Sequence, residues 1–397
     1  MKILWASPNT LLDTANGAAL TVREILKQLK KRGCDIQILG GTIFVNPNGM
    51  SHFKNIMPDI QKHPGKFILY RDGNLEHRLL VTRSIHRRQM MSYEEQQWFD
   101  AYCSVLDRFK PDLVMFFDKS LITLLTADEA RRRGIPAVVY LAHSKNTGTK
   151  WNRDVSLLIT DSHATSAMYK TRENYDLVPV GKFIDPEKYR PQNHAPSNLL
   201  FINPSLEKGA VFVIQLALAL ETIRPDIKIE IVESRSSWSD ALKRVSRKLG
   251  EERNALKNVL LTPNTPDMKT VYGRAKILLV PSVIWESASR VIVEAMLNSI
   301  PVIASRSGGI PETMGDGGFL LDFPAKHFSP PYDQLFDSEL LENTRDLVIR
   351  LYDDDTFYNE QSAKAYRAHS NLHDIQKNTD YLLDVLKQTI SKAKSGQ

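Results

Sequence analysis

Short apolar runs alternate with helix-length amphipathic stretches along most of the chain. The run Lys2–Ala6 precedes a polar loop carrying Asn16-Gly17-Ala18-Ala19, and the spacing then predicts a helix over 20–32, a stop at Gly33 and a strand over 35–39. That is one βαβ unit. The pattern recurs as a helix over 93–109 before an apolar run at 113–117, a helix ending at Gly134 before 137–141, and a further strand at 156–160. Such alternation implies a parallel sheet with helices on both faces. Between 40 and 92 it breaks into a Pro/Gly/Asn-rich stretch with a hairpin, strands 67–70 and 77–82 joined through Asp72-Gly73-Asn74.

Around 180–197 the chain turns polar and proline-rich, the composition of a connector. The alternation then restarts: strands at 199–202, 227–232, 259–261, 277–280 and 301–304, with helices at 209–223, 239–249 and 288–297. A last helix over 378–393 aligns Tyr381, Leu382, Val385, Leu386 and Ile390 in one stripe that needs a partner surface. The predicted architecture is α/β, with two Rossmann-like doubly wound domains facing a cleft. The first domain covers 1–185, the second 198–374, and the helix of 375–397 packs back on the first.

Composition narrows the class. At 397 residues, with 42% hydrophobic and 25% charged positions, the chain is neither disordered nor a single small module. A net charge of +6 suits anionic ligands but is scattered, which argues against nucleic acid. Cys34 and Cys103 are too few for a disulfide framework and lack zinc-site spacing. No apolar run reaches the ~18 residues of a membrane span, and the short start Met1-Lys2-Ile3-Leu4-Trp5 is no leader. A cytoplasmic protein is the expectation.

The chemistry concentrates in the stretch from Pro281 to Met296, Pro-Ser-Val-Ile-Trp-Glu-Ser-Ala-Ser-Arg-Val-Ile-Val-Glu-Ala-Met. A helix starting near Ser287 puts Glu286 at its mouth and Glu294 about 12 Å further along, within ~80° of the same face. The N–H groups at Ser287, Ala288 and Ser289 then form an anion site beside Glu286. A phosphate flanked by hydroxyl-bearing groups fits there, which is the layout of a nucleotide sugar. Gly-x-Gly-x-x-Gly and Walker-type loops are absent, so dinucleotide and nucleotide-triphosphate folds are poor rivals.

This stretch resembles the retaining GT-B glycosyltransferases of family 4, the group-1 glycosyl transferases, whose signature is two glutamates separated by seven residues. The resemblance continues in Gly308-Gly309-Ile310-Pro311-Glu312 and follows the whole chain in order. It implies a GT-B fold and metal-independent transfer of a hexose, with retention, from a nucleoside-diphosphate sugar, a UDP-sugar first. By the same resemblance Glu286 contacts the donor sugar and Glu294 the ribose. Lys208, in Ser205-Leu206-Glu207-Lys208-Gly209, contacts the diphosphate, and Gly17 lets backbone approach it. His143, after the 137–141 strand, contacts the hexose. His143, Glu286 and Lys208 are the catalytic set. The family usually has Gly-Arg at the Ile202-Asn203 place, so one diphosphate cation is missing here, and Asn203 or Arg290 is its substitute.

Asp118 and Lys145 are weaker candidates for acceptor or sugar contacts. Asp353-Asp354-Asp355 reads as a solvated turn before a helix rather than a metal site. Arg83, His86, Arg87 and Arg88 read as a solvated helix face or as a contact for an anionic acceptor or the inner membrane face. The acceptor stays open between a glycan, a lipid-linked glycan, a metabolite and a protein. Two other functions also stay open: another GT-B reaction such as an epimerase or phosphorylase, and a degenerate nucleotide-sugar-binding subunit.

Overall fold

The computed structural model describes residues 1–117 and 119–395, so Asp118 lies outside the described residues. The chain divides into two units, Met1–Phe183 with Ile375–Gln397, and Ile184–Asp374.

In the first unit eight strands form one sheet: β1 Lys2–Ala6, β2 Asp35–Gly41, β3 Phe67–Asp72, β4 Leu75–Leu80, β5 Leu113–Phe116, β6 Ala137–Leu141, β7 Leu157–Thr160 and β8 Leu177–Pro179. Their order is β3-β4-β2-β1-β5-β6-β7-β8, parallel throughout except for β3 against β4. The helices are α1 Gly17–Lys31, α2 Met57–Ile60, α3 Ser92–Phe109, α4 Leu121–Arg132 and α5 His163–Glu173. Each central strand is apolar on both faces. Leu4 and Ala6 join the core under α3 and α4 with Trp98 and Tyr102, while Ile3 and Trp5 face α1 and the C-terminal helix Ile375–Ser395. That helix buries Ile375, Leu382 and Leu386, whereas Tyr381, expected in its stripe, is exposed.

Two local features differ from the sequence expectation. The hairpin is tighter, because Asp72 pairs directly with Leu75 across Gly73 at φ +59°, and β4 joins β2 in parallel so that the insert extends the sheet. Arg23 and Lys27 of α1 both reach Asp72 at 2.9 Å, tying the hairpin to the helix. Helix α1 begins at Gly17 rather than near 20, since the Asn16 side chain accepts from the N–H groups of Ala18 and Ala19 at 3.1 and 3.4 Å.

The second unit has six parallel strands: β9 Asn198–Ile202, β10 Ile229–Val232, β11 Val259–Thr262, β12 Ala275–Val280, β13 Val302–Ser305 and β14 Gly318–Leu321. Their order is β11-β10-β9-β12-β13-β14. The chain builds outward from β9 to one side, then crosses to β12 and builds to the other. Ligands of such sheets sit beyond the carboxyl ends of the two strands where the order reverses, here β9 and β12. The helices are α6 Ala210–Ile223, α7 Trp238–Lys248, α8 Met268–Arg274, α9 Arg290–Leu297, α10 Ile310–Met314, α11 Ser338–Asp353 and α12 Asp355–Leu372. One core layer lies under α6, α7 and α11 and the other under α8, α9, α10 and α12.

The acidic triplet joins α11 to α12: Asp353 forms a two-pronged pair with Arg224 at 2.8–2.9 Å, and Asp354 caps α12 by accepting from Phe357 N at 2.9 Å. Further along α12, His369 is only 7% exposed, and burial beside His373 and Arg190 lowers its pKa to about 4. The folded chain therefore keeps this ring neutral, while the unfolded chain protonates it near 6.5. Stability from this source is present at pH 7 and is lost as pH falls from about 6.5 towards 4, by at most about 3 kcal/mol. Urea unfolding of His369→Gln between pH 7 and 4.5 is expected to show a correspondingly weaker acid dependence than the parent chain.

Candidate functional site

At the carboxyl end of β9 the chain turns through Asn203, at φ +65°, into a single 3-10 turn, Leu206–Lys208, capped by Ser205, whose hydroxyl accepts from Lys208 N at 3.3 Å. Gly209 follows at φ +87°, and a Cβ there would stand 1.9 Å from the Pro281 carbonyl oxygen. Only glycine lets this turn press so closely on the end of β12. The Val283 N–H then donates to the Glu207 carbonyl at 3.0 Å, stitching the two strand ends together.

The loop 281–289 is clamped from its other side by the end of β13 and the segment after it. Ser305 Oγ donates to the Ser282 carbonyl and Ser307 Oγ to the Ile284 carbonyl, both at 2.6 Å, and Gly309 N donates to the Glu286 carbonyl at 2.7 Å. Gly308, at φ +55°, lies so close that a Cβ would stand 2.3 Å from the Glu286 oxygen. Glu286 is thus held by its own backbone at the crevice. Its Oε1 receives both the Lys208 ammonium, in an ion pair, and the Ser282 hydroxyl at 2.7 Å. The two charged side chains keep 29% and 12% of their surface in solvent, enough for a ligand to reach either.

Helix α9 begins at Arg290, with Ser289 as its cap residue, which corrects the expected start near Ser287. The clamps on 282–286 keep that stretch in loop conformation. Glu286 and Glu294 therefore do not share a helix face. Ser287 and Ser289 are buried and Ala288 half-buried in the approach.

Glu294, 4% exposed, is enclosed. Tyr272 Oη donates to its Oε2 at 2.7 Å, and Arg290 Nη2 lies 3.0 Å from its Oε1. Burial, with the neighbouring carboxylate, pushes the Tyr272 phenol well above its ordinary pKa, so it stays a donor. Arg290 also donates to Tyr189 Oη at 2.8 Å. Arg290 thus joins Glu294 to Tyr189. Asn203 turns its side-chain oxygen to Arg235 N at 3.3 Å.

The unit with Lys208, Glu286 and Glu294 does not contain Gly17 or His143, which belong to the first unit. Gly17 opens α1 behind the Asn16 cap. His143 follows β6 with an exposed ring; its Nδ1 accepts from Lys145 N at 3.1 Å, which leaves Nε2 to carry the proton of the neutral ring. Tyr169 Oη donates to the His143 carbonyl at 2.6 Å. In the basic cluster, Arg83 lies 5.6 Å over the Tyr93 ring and Arg87 pairs with Glu95 at 2.6 Å, while His86 and Arg88 are exposed. Sequence reasoning missed Ser282, Tyr272 and Tyr189. A serine one position after the strand-ending Pro281 was the available signal for the first; nothing local marks the two tyrosines.

Residues 191–348 match the family model for glycosyl transferases group 1. A stretch of 65 residues is 45% identical to D-inositol 3-phosphate glycosyltransferase from Corynebacterium kroppenstedtii, covering 16% of this chain and 14% of that protein. Among solved structures, sucrose-phosphate synthase from Thermosynechococcus elongatus superposes with a TM-score of 0.69 at 15% identity, over 99% of this chain and 100% of the other. Anabaena HepE in complex with UDP-glucose gives 0.63 at 19% identity, covering 100% of both.

Gly308→Ala is expected to push the Glu286 loop outward and to destabilise the chain by about 1–3 kcal/mol, combining a strained φ with a backbone clash. Equilibrium urea unfolding measures this, with Gly33→Ala as the control, because its Cβ meets nothing within 4 Å although its φ is also positive. Residues 191–348, within the second unit, match the group 1 glycosyl transferases, and the chain as a whole has the GT-B fold.

Proposed function

We propose that the protein transfers a hexose from a nucleoside-diphosphate sugar, with UDP as the nucleotide, to an acceptor hydroxyl, with retention at the anomeric carbon and without a metal ion. The observation that carries this reading is the Lys208–Glu286 pair, joined by Ser282, at the crevice between β9 and β12. A cation, a carboxylate and a hydroxyl converge there a few residues ahead of the start of α9. The arrangement suits a diphosphate next to a polyhydroxylated sugar. HepE, of the same fold, is described in complex with UDP-glucose.

In this reading the Lys208 ammonium turns from Glu286 towards the diphosphate, and Glu286 accepts hydrogen bonds from the hexose hydroxyls. The N–H groups at the start of α9 face the phosphate oxygens, with Ser287, Ala288 and Ser289 lining the approach. Glu294 takes the ribose. His143 of the first unit supplies its Nε2–H to the hexose, and Gly17 gives backbone room near the diphosphate. The acceptor oxygen bonds to the anomeric carbon on the face the diphosphate leaves, the carbon–oxygen bond to the diphosphate breaks, and the acceptor proton passes to the departing phosphate oxygen. Lys208 and the helix start relieve the charge that develops there. Asn203 favours one second reading, a nucleotide-sugar-binding subunit without turnover, because it leaves a single cation at the diphosphate. Donor hydrolysis by the isolated chain separates the two.

The test is a thermal-shift panel with UDP, GDP, ADP and NAD, with and without EDTA. At ~100 times its dissociation constant UDP is expected to add about 2.7 kcal/mol, a shift of a few degrees, unaffected by EDTA and lost in Glu294→Ala. A shift with NAD alone, or with none of these, overturns the reading. In a transfer assay Lys208→Ala is expected to lower kcat/KM about 10²–10³-fold, the scale of removing one stabilising charge from the leaving group.

A further inference from the structure

The hairpin β3–β4 carries the first sheet past its helical cover. On the face under α3, Leu4, Leu39 and Leu80 enter the core. Side chains alternate along a strand, so Lys2 on β1, Gln37 on β2 and Arg78 on β4 share that face, each two residues nearer the amino end. Leu69 of β3, opposite Arg78 in the antiparallel pair, is 66% exposed. The step between α3 and this open margin is a cavity of about 310 Å³. Lys2, Gln37 and Arg78 line it from the strands, and Ser104, Arg108 and Phe109 from α3. Ser104 and Arg108 stand one helical turn apart and so lie on one side of the helix.

The polar lining is of one kind: two guanidiniums, an ammonium, an amide and a hydroxyl, with no acidic residue among them. Neighbouring arginines meet acids, Arg71 pairing with Glu76 and Arg133 with Asp107. Among the described residues Arg78 and Arg108 form no ion pair. Arg78 lies 4.6 Å over the Phe67 ring, which holds its guanidinium in place without neutralising it. Lys2 Nζ donates to the Phe109 carbonyl at 3.1 Å and so offsets the negative end of α3. Asp112 accepts from the Lys2 backbone N–H at 2.8 Å and lies 3.9 Å from Lys394, outside the lining. Three grouped cations repel one another, and an anion bound among them removes that cost.

We propose that this cavity binds a phosphate monoester. Forked guanidiniums match phosphate oxygens in pairs, Lys2 adds a point charge, and Ser104 and Gln37 donate to the oxygens that remain. The volume exceeds what a phosphate alone fills and reaches the range of small-molecule sites, which leaves room for a carbon skeleton against Val105 and Phe109. The site lies in the first unit and does not rest on the donor crevice, which belongs to the second. A soluble ester and an anionic lipid headgroup offer the same chemistry, and the test separates them.

The experiment is isothermal titration of the full chain with glycerol 3-phosphate and glucose 6-phosphate at fixed ionic strength, in the wild type, Arg78→Gln, Arg108→Gln, Lys31→Gln and Lys208→Ala. The wild type is expected to bind at least one ester, and each arginine variant to weaken it about 10- to 100-fold, as for hydrogen bonds between charged groups. Lys31→Gln removes an exposed cation outside the cavity and Lys208→Ala one from the donor crevice; each is expected to change binding less than about twofold. Sedimentation with phosphatidylcholine vesicles containing phosphatidic acid is the second arm. Vesicle binding that both arginine variants lose, without a response to the soluble esters, keeps the site and assigns the phosphate to a lipid. Binding of neither probe, equal weakening by Lys31→Gln, or loss in Lys208→Ala alone overturns the proposal. Arg108 is exposed, so Arg108→Gln decides should Arg78→Gln fail to fold.

Discussion

The site depends on one close approach: the loop 281–289 lies against the turn after β9 and the segment after β13 at distances that only Gly209 and Gly308 allow. Parallel strands leave their carboxyl ends open, and a loop leaving β12 has many directions available. Two glycines with positive φ and two serine hydroxyls on the loop carbonyls choose one of them. The Glu286 backbone is then fixed by its neighbours, and its side chain meets Lys208 across the join between β9 and β12. Those two residues, 78 positions apart, become one polar group.

The two glutamates of the motif occupy contrasting environments. Glu286 sits in a loop, partly solvated, with a lysine and a serine that a ligand can replace as partners. Glu294 is buried on the helix, with a tyrosine and an arginine that are locked by further contacts. A partly exposed ion pair contributes little to stability and exchanges partners at low cost. A buried carboxylate has to keep its donors or bear a large desolvation penalty. The first therefore suits contacts that rearrange during a reaction, and the second suits a fixed point of recognition.

The architecture was legible because both units obey simple periodicity. Strands apolar on both faces, separated by amphipathic helices, have few packings other than a parallel sheet covered on two sides, and a proline-rich break separates the two sets. The errors fall where local pattern competes with contacts from elsewhere. Asn16 starts α1 three residues early with its side chain, and the hairpin closes on a shorter turn. Tyr381 lies outside the buried stripe of the last helix. Helix α9 starts three residues late because Ser282, Ile284 and Glu286 give their carbonyls to Ser305, at the end of β13, and to Ser307 and Gly309 after it, instead of to a helix.

The sequence by itself determined the fold class and singled out the Glu286/Glu294 pair, because hydrophobic period and residue spacing are local properties that survive without knowledge of neighbours. Only the tertiary structure decided what those residues do to one another. Arg290 reads from sequence as an exposed helical cation or a diphosphate ligand, and only the fold shows Tyr189 and Glu294 on either side of it. Tyr272 carries no signal until its hydroxyl is found 2.7 Å from a buried carboxylate twenty-two residues away. Partner choice is a property of distances between elements, and those are set by sheet order and by the few positions where backbone can touch backbone.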